Sequence, residues 1–329
     1  MKKISILIIV IVMILSTGCF GDDSDDNGET EARNYRDDMR MFVESLSSYA
    51  KEIDSDFIII PQNGHELLTE DGEPDGAAAG SYIDAIDGVG REDLFYGYDE
   101  DDVSTPESER DWMVDFMDVA EDNGVEVLVT DYCYTESKMD DSYEQNSGKG
   151  YISFAADHRE LDNIPDYPAE PYNFNFDDVI SLSDAKNFLY LLNPDSFSDK
   201  TEFLEALQDT DYDLIIMDLF YDETALSSAD IESLKVKAGG GSRLVIAYMS
   251  IGEAEDYRYY WSSDWEDNPP SWLAGENPDW EGNYKVRYWE SGWQEIIYGD
   301  DGSYLKKILD AGFDGVYLDI IDAFEYFDS

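Results

Sequence analysis

The sequence is poor in the residues that usually announce metal or nucleophile chemistry. It has two histidines, His65 and His158, and two cysteines, Cys19 and Cys133. No CxxC or HExxH spacing joins them, so zinc-finger and zincin chemistry find no support. No nucleophile elbow is present for Ser-His hydrolysis. The glycine cluster Gly239-Gly240-Gly241 precedes a strand instead of linking strand to helix, which argues against a nucleotide phosphate loop. No metal or cofactor is therefore expected. Cations are scarce as well: 21 Lys+Arg stand against 77 Asp+Glu, a formal net charge of −56. Without a basic stripe to neutralise phosphates, nucleic acid is not an expected partner. The acid is spread along the whole chain, so a solvated surface suited to high salt explains it best, and a cation-scavenging role ranks last.

What is present is enough for a large core: 329 residues, 43% hydrophobic and 14% aromatic. Residues 1–19 stand apart. Lys2 and Lys3 precede an apolar run from Ile4 to Leu15, and Ser16-Thr17-Gly18 leads to Cys19. This reads as a signal peptide ending in a lipobox-like site with Cys19 as the lipidated residue, and an uncleaved anchor is the competing reading. Residues 20–35 would form an acidic tether. The body is expected to be exported, membrane-anchored or extracellular, and monomeric. Cys133 then lacks an intrachain partner and reads as a core thiol.

Eight apolar runs bounded by turn signals predict strands at 57–61, 85–89, 125–130, 152–155, 188–192, 214–218, 244–250 and 315–320. Helical segments alternate with them. One opens at Thr105-Pro106 and closes at Gly124, another runs from Ser227-Ser228 to the Gly239 cluster, and a third from Asp301 to Gly312. This alternation predicts an α/β fold, a single (β/α)8 TIM barrel, with a doubly wound sheet as runner-up. Residues 167–183 look like a linker. Residues 256–299 form an insertion holding six of the seven tryptophans.

The two ends complement each other. The segment "RDDMRMFVESLSSYAKEI" places Met39, Phe42, Val43, Leu46, Tyr49, Ala50 and Ile53 on one helix face, with no strand before it. The last strand, in "GVYLDI", has no full helix after it. The expectation is a circularly permuted barrel: residues 184–329 supply strands one to four, the chain is cut inside the fourth βα unit, and residues 36–166 supply strands five to eight. The 167–183 linker would join the original termini. Phe327 should then lie near Arg36.

In such a barrel the site lies at the C-terminal strand ends. That rule collects Asp218, Glu253, Asp319, Gln62, Asn63, Glu92 and Asp131, with Tyr248, Tyr96, Tyr132 and Trp289. Paired carboxylates walled by aromatic rings suit glycoside hydrolysis. One acid protonates the leaving oxygen while the other stabilises an oxocarbenium-like centre. Among 77 acidic residues, however, any single strand-end acid is more often simply solvated.

The stretches "AYMSIGEAEDYRYYW", "NPDWEGNYKVRYW", "GFDGVYLDIIDAFEYF" and "IIPQNGHELL" together resemble glycoside hydrolase family 114, in its prokaryotic extracellular branch. The resemblance covers roughly residues 36 to 329. In the usual family order the PQNG part follows the DGVYLD part, whereas here it precedes it. The resemblance implies a TIM barrel that hydrolyses α-1,4-linked galactosamine polymers with one acid at the end of strand four and another at the end of strand six. It implies Asp319 as nucleophile and, by a looser match, Glu92 as general acid/base. Asp322 and Asp93 are their nearest competitors.

Other residues carry two readings each. Glu253 would bind a sugar hydroxyl or orient Arg258, or else cap a loop. Asp218 would bind substrate or serve as a buried hydrogen-bonding group. Gln62 and Asn63 would reach the site with their amides, or form an Asn-Gly turn. Tyr248, Tyr317, Tyr132 and Trp289 would line the cleft or pack the core. Trp261, Trp265, Trp272 and Trp280 would make a sugar platform or the insertion's own core. The functional expectation is a surface-anchored polysaccharide hydrolase. The alternative is a carbohydrate-binding lipoprotein without turnover.

Overall fold

The computed structural model describes residues 33–328. The expected signal peptide, Cys19 and most of the acidic tether lie outside the described residues. Eight strands form the centre: β1 (Ile58–Pro61), β2 (Gly88–Glu92), β3 (Glu126–Tyr132), β4 (Ile152–Ala156), β5 (Phe188–Leu191), β6 (Leu214–Asp218), β7 (Leu244–Ser250) and β8 (Gly315–Asp319). They read as near-continuous apolar runs because both faces are covered. Their neighbours all pair in parallel. One sheet has the order β1-β8-β7-β6-β5 and the other β2-β3-β4. The sheets meet where Asp87 N donates to Ile59 O (2.9 Å) and Asn63 N to Gly90 O (2.8 Å). On the far flank Phe154 of β4 packs on Phe188 of β5, ring centroids 5.8 Å apart. The protein is thus α/β with parallel sheets.

Seven of the eight strands stand where the apolar runs predict them. The exception is the run at 85–89. Residues Gly80–Ala85 form helix α2, and the strand begins at Gly88. The Asp87 carboxylate sets that start, because it accepts from Ile59 N (2.8 Å) and pairs with Lys51. The shift moves Glu92 from a following loop to the last position of β2.

The same device recurs at the N-terminal ends of two other strands. Asp213 precedes β6, accepts from Lys186 N (2.9 Å) and pairs with Lys237 at 2.8 Å, both side chains fully buried. Asp314 precedes β8, accepts from Val245 N (2.8 Å) and pairs with Lys235 at 2.6 Å. Each aspartate satisfies a backbone amide at or just before the start of a neighbouring strand while a lysine neutralises it.

Helix α1 (Tyr35–Ile53) buries Met39, Phe42, Val43, Leu46 and Ala50. Ile53, expected on the same face, is exposed, so the apolar stripe stops one turn early. Helix α3 (Glu107–Asp122) starts after Pro106, which stands at its N-cap, and Gly124 in the left-handed region (φ 79°) turns the chain toward β3. Helix α4 covers Glu136–Lys149 and α5 Lys200–Gln208. Helix α6 (Ser228–Leu234) ends well before the glycine cluster, because residues 235–243 turn back through a Val236–Ser242 bridge anchored by Lys237 and Arg243. The linker 167–183 is irregular except where it enters a short turn at Leu182–Asp184, and it is tied beneath the strands by Asn175 to Asp213 and Val179 N to Ser242 O.

The insertion is a small antiparallel sheet of Glu253–Glu255, Asn283–Val286 and Leu273–Glu276, followed by α7 (Ser291–Ile297). Trp261, Trp265, Trp272 and Trp293 meet ring on ring at 5.2, 5.0 and 5.1 Å. Three of the four expected platform tryptophans therefore build a local core instead. After the insertion, α8 (Tyr304–Ala311) leads into β8, which is followed by a turn at Ile321–Phe324 and the short α9 (Glu325–Asp328). The ring of Phe327 lies 5.5 Å from Tyr35 at the start of α1, and Tyr288 Oη donates to Tyr35 O at 2.8 Å. The last and first described helices are therefore neighbours. Among the described residues no helix is long and apolar enough to cross a membrane.

Candidate active site

A cavity of about 230 Å³ opens at the C-terminal ends of β1, β2, β7 and β8. Asp319, the last residue of β8, and Glu92, the last of β2, both line it. Tyr248 Oη, from the adjacent β7, donates to Asp319 Oδ2 at 2.6 Å, and Ile320 N donates to Oδ1 at 2.8 Å. That second bond needs Ile320 in the left-handed region (φ 57°), unfavourable for a β-branched residue. Gly252 makes room for the turn, since a Cβ there would meet Ile320 O at 2.0 Å. Burial pushes the Asp319 carboxyl up to about 8; the Glu92 charge adds to this and the Tyr248 bond opposes it.

Glu92 is buried and held on both oxygens. Tyr132 Oη donates to Oε1, and Asn63 Nδ2 donates to Oε2 at 3.1 Å. Asn63 Oδ1 in turn accepts from Glu92 N at 3.2 Å. Asn63 and Gly64 both have left-handed φ (60° and 51°), so the Asn-Gly turn and the amide reaching the site are one feature. Beneath Glu92, Gly90 lets the Tyr317 ring approach, where a Cβ would meet its hydroxyl at 2.0 Å.

A second group of acids lies along the same cavity. Glu253 accepts from Asn277 Nδ2 (2.8 Å), Asn283 Nδ2 (3.3 Å) and Tyr326 Oη (3.2 Å), which ties the insertion's sheet together and to the C-terminal segment. Burial raises Glu253 and Glu66. It also pushes Asp322 and Glu325 up to about 7, with neighbouring carboxylates adding to the shift. Among the described residues, no group of three or more His, Cys, Asp and Glu is arranged to hold a metal ion.

Of the expected site residues, the cavity gathers Asp319, Glu92, Tyr248, Asn63 and Glu253, together with the competitor Asp322 and the tryptophan Trp280. Others lie elsewhere. Asp218 pairs with Arg258 at 2.7 Å, and Arg258 is held again by Glu255 at 2.6 Å. Glu255 and Asp218 thus orient this arginine, and Glu253 does not. Asp131 is fully buried and accepts from Phe95 N, Tyr96 N, Ser142 and Asn146, so it anchors the loop after β2. Trp289 packs between Tyr35 and Phe327 at the joint of the two chain ends. Gln62 accepts from Tyr190 Oη at 3.2 Å below the cavity, and Tyr317 is buried at the same level. Tyr96 turns outward to Asp141. Asp93, the competitor for Glu92, is fully buried and paired with Arg159 at 2.6 Å. Strand alternation accounts for Asp131, since Thr130 is the residue in register with Glu92 and adjacent residues point to opposite faces.

Sequence reasoning did not single out His65, Arg91, Trp112, Asn277 or Asn283, which also line the cavity. Asn277 and Asn283 sit in the aromatic insertion, where no periodicity marks a wall residue. Arg91 could have been found as the neighbour of Glu92.

The fold and the site together define an α/β protein with two hydroxyl-held carboxylates in one strand-end cleft. Residues 185–329, somewhat under half of the chain, match the model of Glycoside-hydrolase family GH114. An uncharacterized protein of Methanocaldococcus jannaschii is 46% identical over 159 residues, 44% of each chain. One from Thermotoga maritima is 42% identical over 115 residues, 35% of this chain and 34% of its own length. One from Deinococcus radiodurans is 38% identical over 126 residues, 38% of each. The matched segments thus span less than half the length of these relatives.

Proposed function

We propose that the protein is a surface-anchored glycoside hydrolase in which Asp319 is the nucleophile and Glu92 the general acid/base. The observation that carries this reading is that both acids share one cavity while their strand-end counterparts Asp218 and Asp93 are tied up by arginine. Asp319 and Glu92 are fixed instead by neutral donors, which orient a carboxylate and still leave it able to gain or lose a proton. Glu92 would protonate the departing sugar oxygen and Asp319 would attack the anomeric carbon. Glu92, then a base, would activate the water that releases the product. This order requires retention of configuration. The substrate is a polysaccharide, with galactosamine polymers first in line from the family resemblance. Export through residues 1–19, anchoring at Cys19 and a monomeric state belong to the same proposal.

The architecture we propose is the (β/α)8 barrel, permuted within its fourth βα unit, with residues 167–183 joining the original termini. Support comes from the strand order, in which β8 neighbours β1, and from Phe327 lying against Tyr35. A permuted chain also aligns collinearly with an unpermuted relative over only one of its two blocks. The observed matches have that extent.

The test is reducing-end release from de-N-acetylated and acetylated galactosamine oligomers in high salt, by wild type and by Asp319→Asn. Release by wild type alone is expected. Wild type that neither releases reducing ends nor binds better than the variant would sink the enzyme reading. Inversion at the anomeric carbon, read by NMR of the first product, would remove the nucleophile role.

A further inference from the structure

Arg91 is the one cationic side chain among the residues lining the cavity, amid several carboxylates. It is only 6% exposed and His65 only 5%. A buried guanidinium ordinarily has a carboxylate on its fork. Arg91 has none among the described residues: its contact is Nη1 to His65 Nδ1 at 3.3 Å, and its Nε has no partner. His65 is neutral, since burial and the Arg91 charge both lower its pKa, and its Nε2 is likewise without a partner. Trp112 stands edge-on to His65 at 4.6 Å and forms the adjoining wall. Glu66 and Glu325 feel the Arg91 charge without touching it.

We infer that Arg91, with His65 and Trp112 beside it, forms a subsite for the carboxylate of an acidic sugar, so that the polysaccharide taken by this cleft carries uronic acid units beside the amino sugar at the cleavage point. The inference rests on the carbohydrate reading of the cavity. A planar carboxylate matches the guanidinium fork, and two parallel N–H donors give it orientation as well as charge. The ligand is monoanionic, because a second negative charge, as on a phosphate, would face Glu66, Glu109 and Glu325 on the same wall. Trp112, partly exposed, offers an apolar surface for the sugar ring that bears the carboxylate.

The experiment measures calorimetric binding of two disaccharides to the whole protein in its working salt. One is a uronic acid linked to a neutral hexose. The other is the same disaccharide with the carboxyl reduced to an alcohol. Wild type should bind the acidic sugar about tenfold tighter. Arg91→Met should erase that preference and leave the neutral sugar bound as before. Arg91→Lys, which keeps the charge and loses the fork, should keep only part of it and covers the case in which the methionine variant does not fold. Equal binding of the two sugars by wild type overturns the subsite, as does a preference that Arg91→Lys leaves undiminished. Binding of neither sugar overturns it too. Whether the glycosidase reading falls with it is decided separately by reducing-end release from the galactosamine oligomers.

Discussion

The carboxylates at the N-terminal ends of the parallel strands and those that line the cleft at the other end are held in opposite ways. At the N-terminal ends Asp87, Asp213 and Asp314 each accept a backbone amide and each meet a lysine. In the cleft Asp319, Glu92 and Glu253 are held by tyrosine hydroxyls, asparagine amides and backbone, and among the described residues no cation pairs with them. A lysine partner fixes a carboxylate in its charged form and commits it to structure. Neutral donors fix only its position. In a chain with 77 acidic residues, the partner therefore marks an acid for chemistry better than the acid itself does.

The comparison is broken most severely at the upper end. Asp319→Asn or Glu92→Gln should lower kcat/KM by about 10³-fold or more on a hydrolysed oligosaccharide, with the fold intact by circular dichroism. The lower end should respond in stability instead. Lys237→Met leaves the Asp213 carboxylate buried and uncompensated, so denaturant unfolding should register a loss of about 3–5 kcal/mol. Activity per folded molecule should stay unchanged, and a proportional fall in kcat would erase the distinction between the two ends. A milder cut is Tyr132→Phe, which removes one donor from Glu92. We expect kcat to fall by about tenfold while stability shifts by about 1 kcal/mol.

Asp319 also links the comparison to pH. Its folded-state pKa is about 8 against an ordinary 3.8. The folded protein therefore holds a proton that the unfolded chain releases. This contribution to stability is fully present below the unfolded value and is lost as pH rises through about 8. Unfolding curves between these limits should show Asp319→Asn gaining on wild type as pH increases, and a constant difference would mean the carboxyl is not shifted. The rate profile separates the roles: as nucleophile Asp319 must ionise, so kcat/KM rises toward about pH 8, whereas as acid it would make kcat/KM fall there.

Much of this was legible in the sequence. The strands declared themselves because both faces are buried and their runs are apolar without alternation. Asp319 and Glu92 were reachable through strand ends and motif resemblance. The same rule collected Asp218 and Asp131, which sit on arginine and on loop amides, because a strand end reveals neither the face a side chain takes nor the partner that claims it. Facing is set by the partner strand's register and by residues distant in the chain, such as Arg258. Trp289, expected either to line the cleft or to pack, does the second. Its neighbours Tyr35 and Phe327 come from opposite ends of the sequence, and aromatic content alone cannot tell a joint from a cleft wall.

Cys133 follows Tyr132 directly; it is fully buried, and its backbone amide bonds to Ala156 O at 2.9 Å. Burial raises its thiol pKa well above the usual range. With Cys19 changed to serine, it is the single sulfhydryl left in the chain, one residue from the tyrosine that grips Glu92. A thiol reagent can reach it only when this strand end opens. The labelling rate then becomes a stopwatch for breathing of the cleft's rim, and a sugar lodged in the cleft should slow it.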